Sequence, residues 1–367
     1  MNLSAERLAV LRIARSGGVG PVTYKKIVSK SGTPLHAVLE WKKFAGEKIL
    51  ATEESVLREL ETLEKNNGWC VCVGDENYPR AFEHLPDAPV VLCGLGDASW
   101  LNTRQVAVVG NRNASAAGLQ WTRELASTLV ANGLTITSGL ARGIDSAAHR
   151  GALDAHGGTV AVVAGGVNHI YPPENDKLRA EIIEHGCVVS EQPWGMVPVA
   201  SFFPRRNRII AGLSLGLVVS EASRESGSLI SAKCALEYGR EVWAVPGSPT
   251  DPRAGGPNWL LKQGATLIEN AADILQTVPR DFLPPAQNHS RNHSLPLFGV
   301  DEEEAAAEEL APTPAGGLAG MLGRTGVTVD VLVRQSGKPE AAILGELVEL
   351  ELMGHAVREA DGTWRTA

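Results

Sequence analysis

The sequence lacks a membrane segment, a signal peptide and any pattern of paired cysteines. No apolar run in the 367 residues approaches the length that a transmembrane helix needs. The first 15 residues form a charged amphipathic pattern, where a signal peptide would have an apolar core. The five cysteines are an odd number without the spacing of zinc ligands, which indicates a reducing compartment. We therefore expect a cytoplasmic protein with no membrane association, no metal and no cofactor.

The sequence also gives no support for a catalytic site. It contains no P-loop, and its histidines and cysteines do not cluster with metal-ligand spacing. Ser138, Asp145 and His149 are the residue types of a hydrolytic triad, but Asp145 and His149 lie four positions apart on one predicted helix and point outward together. Either Asp145 caps the helix and pairs locally with His149, or the two form an acid–base pair; the pattern favours the first alternative.

A positive net charge is missing as well, although this does not exclude a nucleic-acid partner. Of the formal net charge of −8, −6 falls within residues 281–310, so the rest of the chain carries only −2. Screening limits the field of this acidic segment to about 8 Å at physiological salt. A local basic patch elsewhere in the chain can therefore still bind phosphate.

What the sequence does contain is a long alternation of strand-like and helical segments. Short apolar runs recur at 69–73, 106–109, 134–137, 159–163, 187–190, 216–220 and 241–245. Helical patterns separate most of these runs, which is typical of a doubly wound parallel sheet of the α/β class. In such a sheet the carboxyl ends of the strands converge on one crevice, where ligands bind.

Smaller segments flank this predicted sheet domain, residues 69–280. Residues 1–68 are predicted to be helices around a glycine turn before Pro21, which is typical of a helix-hairpin-helix unit or of a simple helical packing module. Residues 281–314, acidic and rich in proline, are predicted to be a disordered linker. In residues 315–367, two helices and a hairpin indicate a winged helix. Its second helix carries four glutamates and no lysine or arginine, which favours a protein contact over DNA recognition.

Two glycine loops follow buried strands and open helices, each with one arginine in the turn. In the first loop, Gly110 ends a run of four apolar residues and Arg112 follows. A glycine turn at a helix N-terminus offers unpaired backbone N–H groups, and an arginine adds a bidentate phosphate donor. The second loop holds Ser138, Gly139 and Arg142 in a similar arrangement. Because the first loop lacks G-x-G-x-x-G spacing, it favours phosphate over a dinucleotide.

Two later segments complete a set of four candidate loops. The third combines a hydroxyl, an aromatic ring and three arginines: Ser201, Phe202, Arg205, Arg206 and Arg208. Cations and stacking rings are the ingredients of a site for single-stranded nucleic acid, although one or two of these arginines can instead brace the fold by reaching carbonyls or Glu221. The fourth loop, Ser226, Gly227 and Ser228, presents hydroxyls and amides to an anion, and Ser226 can also be a helix N-cap.

In chain order, these motifs resemble those of the DNA-processing protein A family, also called DprA or Smf. The resemblance covers about residues 69 to 278 and includes Val-Ala-Val-Val-Gly-Asn-Arg, Ser-Gly-Leu-Ala-Arg-Gly-Ile-Asp, Phe203-Pro-Arg-Arg-Asn-Arg and Ser226-Gly-Ser-Leu-Ile. It implies an extended Rossmann-like core, a sterile-alpha-motif-like N-terminal domain and a C-terminal winged helix. It also implies a homodimer that protects incoming single-stranded DNA and loads the RecA recombinase onto it during natural transformation.

The resemblance also assigns site residues to this chain. Arg112 matches the family's basic residue in the first loop, and Arg142 stands where the family often has lysine. Ser201 and Phe202 resemble its base-contacting stretch, and Ser226 begins its serine-glycine loop. With their neighbours in the four loops, the candidate DNA-binding residues are Gly110, Arg112, Ser138, Gly139, Arg142, Ser201, Phe202, Arg205, Arg206, Arg208, Ser226, Gly227 and Ser228.

Two positions depart from the family pattern. Asn111 replaces the usual small residue between the glycine and the arginine, a change that a residue tolerant of left-handed backbone can absorb. Ala200 stands where some relatives carry a lysine, so that phosphate contact is either absent or supplied by Arg205 or Arg206.

The competing hypothesis is a nucleotide-processing enzyme of the lysine-decarboxylase-like phosphoribohydrolase type on a similar sheet. Such an enzyme needs a Pro-Gly-Gly-x-Gly-Thr run followed by a glutamate, whereas this chain has Ser226-Gly-Ser-Leu-Ile in the comparable place. A purely structural protein would leave the arginine-lined crevice without a purpose. We therefore expect a non-catalytic binder of single-stranded DNA.

Overall fold

In the computed structural model, a nine-stranded sheet forms the centre of the chain. The structure describes residues 3–279, 317–323, 325–359 and 362–366; the predicted linker at 281–314 lies outside the described residues. The strands are β1 (Gly68–Cys72), β2 (Val91–Gly96), β3 (Gln105–Val109), β4 (Thr135–Ser138), β5 (Thr159–Val162), β6 (Cys187–Ser190), β7 (Gly216–Val219), β8 (Glu241–Ala244) and β9 (Thr266–Leu267). Their spatial order is β1-β2-β6-β5-β4-β3-β7-β8-β9.

The seven predicted runs correspond to β1 and to β3 through β8, so the doubly wound, Rossmann-like sheet is confirmed. Two strands were missed: β2, whose strand pattern is interrupted by Gly94 and Gly96, and β9, which has only two residues. The strand β2 pairs antiparallel with both β1 and β6, so the sheet is mostly rather than wholly parallel. At Gly94 the Trp69 ring covers the face of the strand, and a Cβ there would lie 2.1 Å from that ring.

Five helices form the N-terminal unit: α1 (Ala5–Ala14), α2 (Pro21–Ser31), α3 (Pro34–Leu39), α4 (Trp41–Ala45) and α5 (Glu53–Lys65). Their apolar side chains share one core with β1 and β2. Arg15 joins the unit to the sheet, because it forms an ion pair with Glu59 at 2.8 Å and donates to the backbone oxygen of Glu191 at 2.9 Å. The N-terminal helices therefore cover the antiparallel edge of the sheet.

Seven helices flank the sheet: α6 (Ala116–Ala131), α7 (Ile144–Asp154), α8 (Asp176–His185), α9 (Phe202–Leu213), α10 (Ser228–Glu237), α11 (Gly255–Lys262) and α12 (Ala271–Thr277). Alternate residues of β3 point to opposite faces. Val106 and Val108 pack with α6, α7 and α12 on one face, and Ala107 and Val109 pack with α9, α10 and α11 on the other. Because both faces are buried, β3 appears in the sequence as an unbroken apolar run.

The C-terminal winged helix contains α13 (Leu318–Met321), α14 (Val329–Ser336), α15 (Glu340–Leu352) and the antiparallel pair β10 (Ala356–Arg358) and β11 (Trp364–Thr366). Ala116 at the start of α6 belongs to the same apolar cluster as Leu318 and Leu322. Arg253 donates from Nη2 to the backbone oxygen of Leu322 at 2.9 Å. These contacts place the winged helix against the first turn of α6.

None of the helices that the structure describes combines the length and the apolar composition needed to cross a bilayer.

Candidate nucleic-acid interface

The crevice predicted from the strand ends lies between the loops after β3 and β7. These two strands pair in parallel, but the chain continues from β3 to β4 on one side and from β7 to β8 on the other. In sheets of this kind, ligands bind at such a switch in direction. Here the two loops also contact each other, because the Asn111 N–H donates to the Glu221 backbone oxygen at 2.5 Å. A Cβ on Gly110 would lie 2.6 Å from Ile144 Cγ1 and 2.7 Å from the Glu221 backbone oxygen. Glycine at position 110 therefore serves the close packing of the loops.

The N-terminus of α6 already holds an anion, which is the side chain of Glu221. Its carboxylate accepts hydrogen bonds from the Ser115 backbone N–H at 2.8 Å and from the Ser115 hydroxyl at 2.5 Å. Ser115 in turn caps the helix by accepting from the Gly118 N–H at 2.9 Å. The sequence had indicated that this helix end would be open to an external phosphate. The structure instead uses it to connect the loop after β7 to α6.

Arg112 belongs to the loop after β3, two residues beyond Gly110, and is partly exposed. Its guanidinium carbon is 6.0 Å from the ring centroid of Phe203, within the range of a cation–π contact. The same ring lies 5.9 Å from the guanidinium carbon of Arg206 and meets Tyr171 edge-on at 6.0 Å. Phe203, only 3% exposed, thus contributes to the orientation of the Arg112 side chain.

Arg206 and Gly139 lie below this surface, inside the fold. Arg206 is 4% exposed and donates to the backbone oxygens of Gly139 and Val162, the second at 3.0 Å. The Asp145 carboxylate accepts from the Gly139 N–H at 3.1 Å and from the Ala141 N–H at 3.4 Å. Burial raises the pKa of Asp145, while the charge of Arg206 opposes the rise. These groups hold the second loop in place rather than presenting themselves to a ligand.

Asp145 and His149 do not pair with each other. His149 Nδ1 lies 2.7 Å from the Thr159 hydroxyl, which donates its own proton to the Ile136 oxygen, so Nδ1 is assigned as the protonated nitrogen. Complete burial lowers the pKa of His149 to about 3, so the ring is neutral. The predicted local pair is therefore wrong. The predicted cap at Asp145 is wrong as well, because Gly143 is the N-cap of α7 and has no side-chain hydrogen bond. The Asp145 carboxylate instead binds amides of the loop before the helix.

The third loop divides into an exposed and a buried part. Arg208 is paired, with Nη2 2.5 Å from a carboxylate oxygen of Glu191 and Nη1 2.5 Å from the backbone oxygen of Asp87. The brace expected for one or two of the three arginines is therefore confirmed for Arg206 and Arg208, although neither forms its hydrogen bonds to Glu221. Arg205 is exposed.

Ser201 and Phe202 are also accessible, at the start of α9. Ser201 is exposed and Phe202 is half-buried. Phe202 and Arg205 are three positions apart on α9, so they share one face of the helix. A ring and a cation on the same open face can accept a base and its phosphate together.

The second and fourth loops bond mainly to the chain itself. Arg142 forms an ion pair with Glu174 and lowers the pKa of that carboxyl. Ser138 is fully buried and donates to the Val108 oxygen at 2.6 Å. In the fourth loop, Ser226 accepts from the Ser228 N–H at 3.3 Å, and the Ser228 hydroxyl donates to the Gly110 oxygen at 2.9 Å. Gly227 rather than Ser226 is the N-cap of α10, and it has no side-chain hydrogen bond, so the cap considered for Ser226 is not formed. The loop instead supports the first glycine turn.

One segment matches the nucleophile motif of hydrolases in sequence but not in structure. Residues 212–216 read Gly-Leu-Ser-Leu-Gly, a G-x-S-x-G sequence. That motif requires a strand followed by a helix, whereas this segment leads from α9 into β7. Its Ser214 is fully buried and donates to the Ile210 oxygen at 3.0 Å. In the part of the chain that the structure describes, no three His, Cys, Asp or Glu side chains are grouped as metal ligands.

Sequence reasoning missed the residues that orient the exposed cation. Phe203 was noted only as part of a family motif, and no role was predicted for Tyr171. The available indication was the spacing of Phe203 and Arg206, three positions apart on one helix, which places the ring beside the buried guanidinium. Nothing in the sequence indicated that Arg112 would meet the same ring.

Three consecutive segments of the chain match family models. Residues 4–61 match the DprA-like N-terminal HHH domain, residues 69–279 match DNA recombination-mediator protein A, and residues 302–362 match the DprA winged helix domain.

Several named proteins and solved structures are similar to this chain over much of its length. Protein Smf of Escherichia coli (strain K12) is 40% identical over 304 residues, which cover 82% of this chain and 78% of the relative. The structure of DNA processing protein A from Streptococcus pneumoniae is similar to this one, with a TM-score of 0.65 and 30% sequence identity. The match covers 77% of this chain and 100% of that chain. DNA processing protein A from Helicobacter pylori has a TM-score of 0.53 at 32% identity, covering 57% of this chain and 94% of that one. The Helicobacter structure is described as giving insight into a unique single-stranded DNA binding mode.

Proposed function

This chain belongs to the DNA recombination-mediator protein A family, and on that premise we propose that it binds single-stranded DNA at the crevice between the ends of β3 and β7. The observation that carries the proposal is the position of Arg112. Its guanidinium lies at the mouth of the crevice, 6.0 Å from the centre of the buried Phe203 ring. Because this contact limits the rotamers of the side chain, phosphate binding costs less conformational entropy than at a free surface arginine.

The exposed face of α9 supplies the second part of the proposed interface. Phe202 offers a ring on which a base stacks, Arg205 offers a phosphate contact, and Ser201 offers a hydroxyl beside them. Stacking does not depend on base identity, because every base has an aromatic face. Binding is therefore expected to depend strongly on salt and weakly on sequence.

The remaining candidates take a positioning role in this proposal. Ser138, Gly139, Arg206 and Arg208 are bonded within the fold and hold the loops in register. Gly110 and residues 226–228 shape the first turn through the Ser228 hydrogen bond. The side chain of Arg142 is 32% exposed and forms an ion pair with Glu174. In this proposal Arg142 leaves Glu174 and contacts a phosphate when the DNA binds.

The wider role that we propose is recombination mediation without chemistry on the DNA. A homodimer in the cytoplasm holds and protects single strands and delivers them to RecA; the support for this step is membership of the family. The division of the chain after residues 68, 280 and 314 likewise stays a prediction. For the phosphoribohydrolase alternative, the serine loop offers little support, because its hydroxyls bond to each other and to the first loop.

The experiment that tests the DNA site is a titration of a fluorescent single-stranded oligonucleotide at several salt concentrations, with duplex DNA as competitor. We expect Arg112→Ala to weaken binding by about tenfold, or about 1.4 kcal/mol, because the substitution removes the oriented phosphate donor. Arg58→Ala is the matched control. Arg58 is 73% exposed on α5 and its ion pair is with Glu54, so we expect unchanged affinity.

Two results would contradict the assignment. If single strands do not bind, the crevice is not a DNA site and a nucleotide-hydrolysis screen becomes the next experiment. If they bind but Arg112→Ala behaves like Arg58→Ala, the DNA lies elsewhere on the molecule. The RecA step is tested separately, by the rate at which RecA assembles on single-stranded DNA with and without this protein.

A further inference from the structure

A second groove lies between the sheet domain and the winged helix. One wall is the outer face of α6 and α7, and the other wall is formed by α13 and α14. Arg112 lines this groove as well as the mouth of the crevice. The groove has a volume of about 1370 Å³, larger than the roughly 300–1,000 Å³ of small-molecule sites. Its size suits a segment of a polymer better than a small ligand.

The groove is positively charged in a protein that is acidic as a whole. Its charged lining consists of Arg112, Arg123, Arg150 and Arg334 against Glu124 and Asp154. Asp154 is neutralised by Arg123, whose Nη2 lies 2.9 Å from Oδ1. Arg150 and Arg334 are exposed, and neither has an ion pair or a hydrogen bond to any residue that the structure describes. Two arginines on opposite walls are thus available to a polyanion.

We propose that single-stranded DNA held at Arg112 continues through this groove, where Arg150 of α7 and Arg334 of α14 neutralise its phosphates from opposite walls. This inference rests on the proposed function, because it extends the DNA path from the crevice. Among the described residues that line the groove, none is aromatic. The groove therefore contacts the sugar-phosphate backbone of the bound strand, while the bases stack on Phe202.

The proposal gives the winged helix a DNA contact that its sequence did not suggest. The helix expected to read bases, α15, is rich in glutamate. Arg334 belongs instead to the last turn of α14, which lies beside α6 across the groove. The winged helix then adds affinity for longer strands without recognising their sequence.

The test compares short and long oligonucleotides on the full chain. We use single strands of about 6 and about 25 nucleotides, the first short enough to occupy the crevice alone. The variant is Arg150→Ala combined with Arg334→Ala. The control is Arg58→Ala combined with Arg80→Ala, which removes the same charge from exposed positions outside the groove. Thermal melts of both variants establish that they fold.

We expect the groove variant to bind the long strand about tenfold more weakly than the control does. The slope of log K against log salt should fall by about 1.4, since each lost contact to a single strand contributes about 0.7. Affinity for the short strand should match that of the control. If the groove variant and the control bind the long strand equally well, the groove path is refuted. It is also refuted if the groove variant loses the same affinity for the short and the long strand. Neither result affects the proposed site at the crevice. Absence of binding by the unsubstituted chain would overturn the proposed function and this extension together.

Discussion

Arg205 and Arg206 are neighbours in the chain, yet one lies on the surface of α9 and the other lies inside the sheet domain. The exposed region at the crevice mouth contains Arg112 and Arg205, and the region beneath it contains Arg206 and Arg208. The buried pair is fully engaged, with carbonyls and carboxylates as partners. A buried cation without such partners would cost several kcal/mol. The same residue type is thus a structural brace in one region and, in the DNA site that we propose, a ligand contact in the other.

This difference shows why a cluster of arginines in a sequence overstates the size of a binding site. Three arginines within four residues look like one basic patch. Because successive residues of a helix point about 100° apart, Arg206 faces away from Arg205 and into the fold. Arg208 lies on the same side of α9 as Arg205, but it is bonded to Glu191 and Asp87. Of the three arginines, Arg205 is therefore the one that the structure leaves exposed for a phosphate.

Removal of the buried cation, Arg206, is expected to have the largest effect. Arg206→Ala leaves the Asp145 carboxylate without its nearest compensating charge and two backbone oxygens without a donor. We expect a loss of roughly 3–5 kcal/mol in the free energy of unfolding. Arg205→Ala on the same helix is the control and should change stability by less than about 0.5 kcal/mol. Urea unfolding measures both, and equal stabilities would refute the brace.

A second prediction concerns the histidine in the same buried region. The pKa of His149 is about 3 in the folded protein against an ordinary 6.5, so between these values the unfolded chain binds the proton and the folded chain does not. The contribution of His149 to stability is therefore complete above pH 6.5 and is lost as the pH falls toward 3. Between pH 7 and pH 5 we expect a loss of roughly 2 kcal/mol from this residue.

The variant His149→Gln isolates this contribution. Asp145 has a raised pKa and therefore acts in the opposite sense in acid, so the informative quantity is the difference between the original protein and the variant. Urea unfolding midpoints measured at pH 7 and pH 5 should fall less in the variant. If the urea midpoints of both proteins fall by the same amount between pH 7 and pH 5, the buried His149 ring is protonated in the folded protein at pH 5, which contradicts the prediction.

The smallest expected effect belongs to the exposed arginine of α9. Arg205→Ala should weaken binding of a single strand about two- to threefold and lower the salt slope by about 0.7, the share of one phosphate. Among the residues that the structure describes, its side chain has no bracing partner of the kind that Arg208 has, so the melting temperature should stay the same. A loss of folding stability in Arg205→Ala would place Arg205 among the braces and remove it from the interface.

Much of the fold followed from local patterns. Val106 to Val109 predicted a strand buried on both faces, and the alternation with helices predicted the doubly wound sheet. The strands β2 and β9 were missed, because glycines interrupt the end of β2 and because β9 has only two residues. The winged helix was recognised from two helices and a hairpin, which are also local features.

The candidate site was predictable only as a set of loops. The sequence located the loops because each follows a strand, and strand ends converge in such a sheet. It could not show that Glu221 would occupy the α6 helix end, since that contact joins residues 106 positions apart. It also could not distinguish Arg205 from Arg206, because burial depends on what packs against the helix.

The sequence by itself determined the elements, their order and the residue types at the crevice, because hydrophobic period, glycine turns and helix caps act over a few neighbouring residues. The tertiary structure decided which charges face solvent. Phe203 orients Arg112, Asp145 and the loop carbonyls engage Arg206, and the winged helix places Arg334 across a groove from Arg150. Each of these arrangements depends on contacts between segments far apart in the chain, and the cost of burying a charge is set by those contacts.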